Sequence, residues 1–442
     1  MVRINRLFLI ASVCFVVFLI HPVFAIEPAW NYSEPNADIG SVAVSSDGSS
    51  IAVAAGRIWL FSNDGRLLAK EPYGNLLAMT PNGSALATSY FSTVYLFKNN
   101  TEKTDTAPMK KVWETSIVNN VISLDISDDG STIAMSTDGA GLLIYAADGS
   151  VLEYNKSHYS VVGVSANGKY VAGLSQFGLT SFSGSKKYGN KSYDLSLGSM
   201  PDFMVLPSKG DYCVFNDDQR ILRVRSNGTE IWHARATGDV MSLAMTPDGK
   251  SIIIGTDNGH IDKFDDKGNL SWSYNTNPKN KNYASVPGVA VSDNGANIAA
   301  GTAGGEVLLL NSRGELQWSN QTDDHIHHIA MSAEGSVAVA AGEHTVYAFT
   351  AQSRNTAKTA TVSKTNTPKI TPVTPGITDT VSDTFEIDTV VSPTSTEDAV
   401  TTIVTSPPQQ YSVIITEQSP PSPVVGLAAL ALAVLVFRGR RY

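Results

Sequence analysis

The stretch Asp323-Asp324-His325-Ile326-His327-His328 sets imidazoles two residues apart beside acids. On a strand, His325 and His327 would share a face, a donor set that suits Zn²⁺ or Ni²⁺. The segment also leads into a repeated strand whose other copies are preceded by loop residues such as Asn119-Asn120 and Gly238-Asp239. A solvated loop is therefore the default expectation, with a metal site as the alternative. Asp125 interrupts a column of small residues; the expectation is a hydrogen bond to a neighbouring strand, with a channel-lining or cation role as alternatives. The acidic stretch Asp262 to Asn269 lacks the alternating ligand spacing of an EF-hand and reads as a hairpin turn. No nucleophile–base pairing, P-loop or dinucleotide fingerprint occurs. The sequence thus assigns no catalytic, cofactor-binding or metal residue.

The elements that would carry any site come from a repeat, which is sought first. Turn glycines recur at Gly48, Gly83, Gly130, Gly168, Gly210, Gly249, Gly295 and Gly335, and seven of the eight follow Asp, Asn or Glu. Such pairs supply the positive φ of tight hairpins. Six residues before each glycine stand large apolar residues, from Val42 and Leu77 to Val289 and Ile329. Four before stand Val44, Met79, Ile126, Val164, Leu206, Met245, Val291 and Met331. Between them lie Ala43, Ala78, Asp125, Gly163, Val205, Ala244, Ala290 and Ala330. Large residues on one face and mostly small ones on the other is a strand pattern of period 2. The small column suits the crowded axis of a propeller. Cys213 falls on an apolar position three residues past its glycine and is expected to be a buried small hydrophobe.

A second turn follows in most repeats, at Gly65, Gly149, Gly184, Gly228, Gly268 and Gly314, and then a short strand bearing an aromatic. Gly228/Trp232, Gly268/Trp272 and Gly314/Trp318 share one spacing. Four strands in about 40 residues is the blade pattern. The eighth repeat lacks its Trp strand, while an orphan of that kind, Pro28-Ala29-Trp30-Asn31-Tyr32, precedes the first. The expectation is an all-β, eight-bladed propeller over residues 26–353, closed by residues 27–33. Seven blades is the alternative, because the repeats at 156–234 are weakest. Closure removes two sheet edges that would otherwise template aggregation.

Residues 1–25 read as a secretory signal peptide: Arg3 and Arg6, the apolar run Leu7–Ile20, then Val23-Phe24-Ala25. Residues 354–420 hold 24 Ser/Thr and seven Pro, a composition that cannot offset its ordering entropy and reads as a stalk. Residues 421–442 contain the apolar run Val424–Phe437 and the basic end Arg438-Gly439-Arg440-Arg441, which reads as a membrane anchor or sorting signal. The formal net charge of −9 disfavours non-specific nucleic-acid binding. Eight Asn-x-Ser/Thr sequons, at Asn31, Asn82, Asn99, Asn155, Asn190, Asn227, Asn269 and Asn320, accord with export and glycosylation.

Two segments carry a family likeness: Ser251–Gly259 running to Gly268–Trp272, and Ile298–Thr302 running to Gly314–Trp318. These repeats resemble exported propellers with WD-type and pyrroloquinoline-quinone (PQQ)-type repeats from archaea and bacteria. The C-terminus is similar to the tripartite sorting signals of surface proteins, and the combination resembles surface proteins of methanogenic archaea. In the PQQ-type family the tryptophan docks each blade on its neighbour, which the resemblance carries to Trp232, Trp272 and Trp318. A quinoprotein enzyme of that family needs a stacking platform, Ca²⁺ ligands and a catalytic Asp, for which no matching constellation is found. The functional expectation is non-enzymatic display and recognition at the cell surface, the loops meeting a protein or glycan of the envelope. A scaffold for envelope proteins is the second reading and a quinoprotein the third. Loops on a rigid ring carry binding, so the insert Lys98–Lys111 is the expected recognition loop.

Overall fold

The computed structural model describes residues 24–100, 108–139, 141–184, 187–276 and 284–350. They form eight antiparallel sheets of four strands each, one of which gains a fifth strand. Blades 1 to 7 span residues 41–72, 76–116, 121–155, 161–194, 204–235, 240–275 and 288–321. Blade 8 takes three strands from 328–350 and its outer strand, Trp30–Ser33, from the other end of the chain. That pairing is antiparallel, with Trp30 opposite Ala348 and Tyr32 opposite Val346. The expected closure and the count of eight both hold.

The repeats that are weak in sequence still form blades, and blade 5 displays why they read weakly. Its inner strand is only Met204–Val205. Asn216 Oδ1 accepts the N–H groups of Asp202 (3.0 Å) and Phe203 (2.8 Å), and Asp217 accepts those of Gly198 and Ser199. Side chains replace the missing ladder, so polar residues stand where the period would place apolar ones. The backbone groups still find partners, which burial requires.

The alternation of large and small residues works across blades. A Cβ on Gly163 would strike Leu206 and Met204 of blade 5, and one on Gly288 would strike Ile329 of blade 8. Each small residue thus seats the paired large residues of the next inner strand. The second and third strands are almost wholly buried, whereas inner strands such as Ser41–Val44 and His328–Met331 stay half-buried along the axis. Cys213 is fully buried, its Sγ 3.8 Å from the Val224 carbonyl, and burial pushes the thiol up to about 12.

A collar of main-chain bonds circles one end of the axis. Ala333 donates to Ser46, Ser46 to Pro81, Ala166 to Ser208, Ser208 to Pro247 and Asp293 to Ala333, while Asp129 donates to Ala166. The chain of donors stops at Pro81 and at Pro247, because proline has no N–H to pass on.

An indole latch joins blades at the rim. Trp30 donates to the Asn63 carbonyl, Trp113 to Ala147, Trp232 to Asp266 and Trp272 to Ser312, at 2.9 to 3.2 Å. Each acceptor lies two residues before a positive-φ glycine of the next blade, and a Cβ there would run into the ring. Trp318 has no such turn to meet, since blade 8 is built from both ends of the propeller. Its ring stacks on Phe349 at 5.0 Å, and its N–H has no partner. The docking role implied by the resemblance is therefore present at all three positions, in two versions.

Candidate functional site

Strand direction sorts the loops into two faces. The links between blades and the turns joining second to third strands share one face, called here the connection face; the glycine turns share the other. The insert of blade 2 lies on the glycine-turn face. Its flanks pair, Met109 opposite Asn99, and residues 101–107 lie outside the described residues.

The histidine segment is a loop as far as His327, with Asp323 exposed and its neighbours half-buried rather than fully solvated. Ile326 is fully buried between blades 7 and 8, and His327 donates its backbone N–H to Ala341. The Asp324 carboxylate accepts the N–H groups of Glu343 and His344, so it caps the turn of blade 8. His344 Nδ1 bonds the carbonyl of Ala37, in the link between the closing strand and blade 1, which adds a side-chain tie between blade 8 and that link. Burial lowers the pKa of His327 and takes that of His328 down to about 4. Among the described residues no group of three or more His, Cys, Asp or Glu is arranged to hold a metal ion.

Asp125 does what was expected. It accepts the N–H of Val164 in blade 4 at 2.7 Å and its neighbour Ile126 at 2.8 Å, and burial raises it to about 6. Ser41 and Ser123 make the same bridge, to Leu77 and Val162. The stretch from Asp262 is a strand and hairpin, Asp265 accepting the N–H groups of Lys267 and Asn269. Asp262 itself is buried and satisfied by Thr237 and Ser273, which anchors the link from blade 5.

What sequence reasoning missed lies on the connection face of blades 2 to 4. Tyr73 and Phe91 are exposed by 49% and 56%, Val118 by 91% and Phe177 by 71%. Tyr73 and Phe91 have φ of +74° and +50°. A bulky side chain in that region is strained and persists only where surroundings over-determine it. The surroundings are explicit for Phe91: its carbonyl accepts Val121 N–H, and Ser92 accepts Ile117 N–H. Tyr73 lies 5.1 Å from Tyr90, which meets Phe91 edge-on at 4.7 Å. A signal was available in Tyr90-Phe91-Ser92, an aromatic where turn chemistry prefers Gly or Asn. Beside Phe177 opens a pocket of about 700 Å³, walled by blade 4 and the links on either side.

With this geometry in hand, comparison adds a repeat type and a fold. The family model for the outer membrane protein assembly factor BamB, of PQQ-type repeats, matches residues 192–392, less than half of the chain. That span holds both segments that carried the likeness in sequence. No curated protein sequence matches the chain. Solved structures that are similar include Sqt1 of Chaetomium thermophilum bound to the N-terminus of the ribosomal protein L10. Its TM-score is 0.62 at 14% identity, covering 74% of this chain and 100% of that one. Sqt1 of Saccharomyces cerevisiae gives 0.61 at 13%, covering 74% and 99%. The C-terminal WD40 domain of Sif2 gives 0.60 at 13%, covering 74% and 98%. At such identities the likeness is one of fold.

Proposed function

We propose that this protein is a non-enzymatic recognition module displayed at the cell surface, whose connection face on blades 2 to 4 meets an envelope or extracellular partner. The observation that carries the reading is the pair Tyr73 and Phe91: two exposed aromatics held in strained backbone by a rigid ring. Strain of this kind gathers at binding sites, and exposed aromatics anchor interfaces. The leader, the stalk and the apolar C-terminal run read from the sequence supply export and tethering. The Sqt1 complex with a segment of ribosomal protein L10 gives a propeller of similar fold that binds a protein. Photo-crosslinking in the producing cells, with probes at Phe91 and Val118 and controls at Asn227 and Asn269, tests this. Partner adducts at the first pair alone support the reading; adducts at the controls alone overturn it.

A second reading, a scaffold for assembling envelope proteins, is favoured by the match to the BamB model. In the same crosslinking experiment it expects membrane-protein partners rather than exterior polymers or proteins.

A further inference from the structure

Charge divides the two faces of the ring as sharply as the exposed aromatics do. Among the described residues, the connection-face loops hold ten carboxylates and one cation, Lys156, whereas the glycine-turn loops hold eleven and seven. Lys279 and Lys281 of the link 276–287 lie outside the described residues; counting them still leaves acids ahead by ten to three. Strand ends on the connection face add Arg57, Arg220 and Arg235, which Asp194, Asp217 and Glu306 balance. The acids are gathered rather than spread. Eight of the ten lie between Asp218 in blade 5 and Asp38 in the link to blade 1. The loops within blades 2 to 4, the part that shows Phe91, Val118 and Phe177, carry only Asp138 and Lys156, which cancel. One face thus sets an uncharged apolar arc beside an acidic arc.

Carboxylates gathered on one arc sum to a field that repels phosphate, sulfate and uronate groups and draws Lys and Arg. Anionic glycans and anionic lipid surfaces are therefore disfavoured, and a neutral glycan gains nothing from the acids. Exposed aromatics anchor apolar side chains pressed against them, while complementary charge steers approach and rejects wrong partners. A protein segment with apolar residues beside Lys or Arg uses both arcs at once. We propose that the connection face binds a basic protein segment, its apolar residues on Tyr73 and Phe91 and its cations toward the acidic arc of blades 5 to 8. This rests on the recognition reading above and names the kind of partner.

The test is fluorescence anisotropy of the detergent-solubilised full chain with three labelled peptides of equal length. They share one set of Leu and Phe positions and fill the rest with Lys and Arg, with Ser and Gln, or with Glu. The basic peptide should bind roughly tenfold tighter than the neutral one, and the Glu peptide weakest of the three. Phe91→Ala should weaken the basic and neutral peptides alike. Asp38→Lys, Asp218→Asn, Asp323→Lys and Glu343→Lys together should remove the preference for the basic peptide; these four residues are exposed. Asp218 takes Asn because its φ is +53°, which Asn tolerates. The same change of charge on the glycine-turn face, Asp211→Lys, Asp266→Asn, Asp293→Lys and Glu334→Lys, should leave the preference intact. Unchanged melting temperatures separate lost binding from lost fold. Equal loss in both sets, or a basic peptide indifferent to Phe91→Ala, overturns the proposal, as does no binding by any peptide. If the peptides bind through Phe91 without regard to charge, the basic partner falls and the recognition reading stands. If crosslinking also gives adducts at the controls alone, both fall.

Discussion

The indole N–H of Trp30 donates to the carbonyl of Asn63 at 2.9 Å, while the backbone of Trp30 pairs with Ala348. One residue therefore completes the last blade through the ladder and fastens that blade to the first through the latch. Its neighbour Ile26 extends the seal. Ile26 is buried between blades 7 and 8, its N–H bonded to Ser319 and its carbonyl to Asn320 Nδ2. Phe24 and Ala25, which the sequence reading assigned to the leader, pair in parallel with Trp318 and Ser319.

Removing the Trp30 side chain should cost about 2–3 kcal/mol, below the full value for a buried Trp because the ring is only partly buried. Denaturant melts of Trp30→Ala measure it. Trp272→Ala loses the same latch without touching closure. If the two variants show equal unfolding and equal aggregation, ring closure has no special role. The expected difference is aggregation in the Trp30 variant alone, from the freed edge of blade 8.

Two groups on half-buried inner strands should pull the stability of the ring in opposite directions between pH 6.5 and 4. His328 sits at about 4 against an ordinary 6.5, so across this window the unfolded chain binds a proton that the folded chain refuses. Its contribution is lost as pH falls. Asp125 sits at about 6 against 3.8, so the folded chain binds the extra proton and its contribution grows as pH falls. Each amounts to about 2 kcal/mol over the window. Relative to wild type, Asp125→Asn should lose stability more steeply on acidification and His328→Gln less steeply. Urea titrations at pH 6.5 and 4.5 measure both slopes, and identical slopes in the three proteins would refute the assignment.

Seven of the eight sequons have exposed or half-exposed asparagines, but Asn320 is buried with its Nδ2 bonded to Ile26. A glycan needs that nitrogen. Glycopeptide mass spectrometry of protein from the producing cells should find modification among the other seven and none at Asn320. An occupied Asn320 would mean that closure by residues 26–33 does not hold in the mature chain.

Strain at Phe91 makes a stability–function prediction. Phe91→Gly relieves the +50° φ and should raise stability by about 0.5–1 kcal/mol. Capture of the crosslinked partner should fall at least several-fold, because the exposed ring is gone. A variant that is destabilised, or that binds as before, would assign the aromatic a packing role instead.

The periodic residues by themselves determined the sheets and the way the ring closes, and left their number at eight or seven until the ring decided for eight. Period-2 alternation and the Asn/Asp-Gly turns act over a few residues, and the missing Trp strand at one end matches the orphan at the other. The spacing placed Trp232 and Trp272 on outer strands, and the family resemblance implied their docking role. The candidate site was not legible. Phe91 and Phe177 belong to different blades. Only the tertiary ring puts their loops on one face and exposes both rings. Likewise Asp324 stands beside His325 and His327 as a metal ligand would in sequence, but folding gives its carboxylate to the N–H groups of Glu343 and His344 at the turn of blade 8.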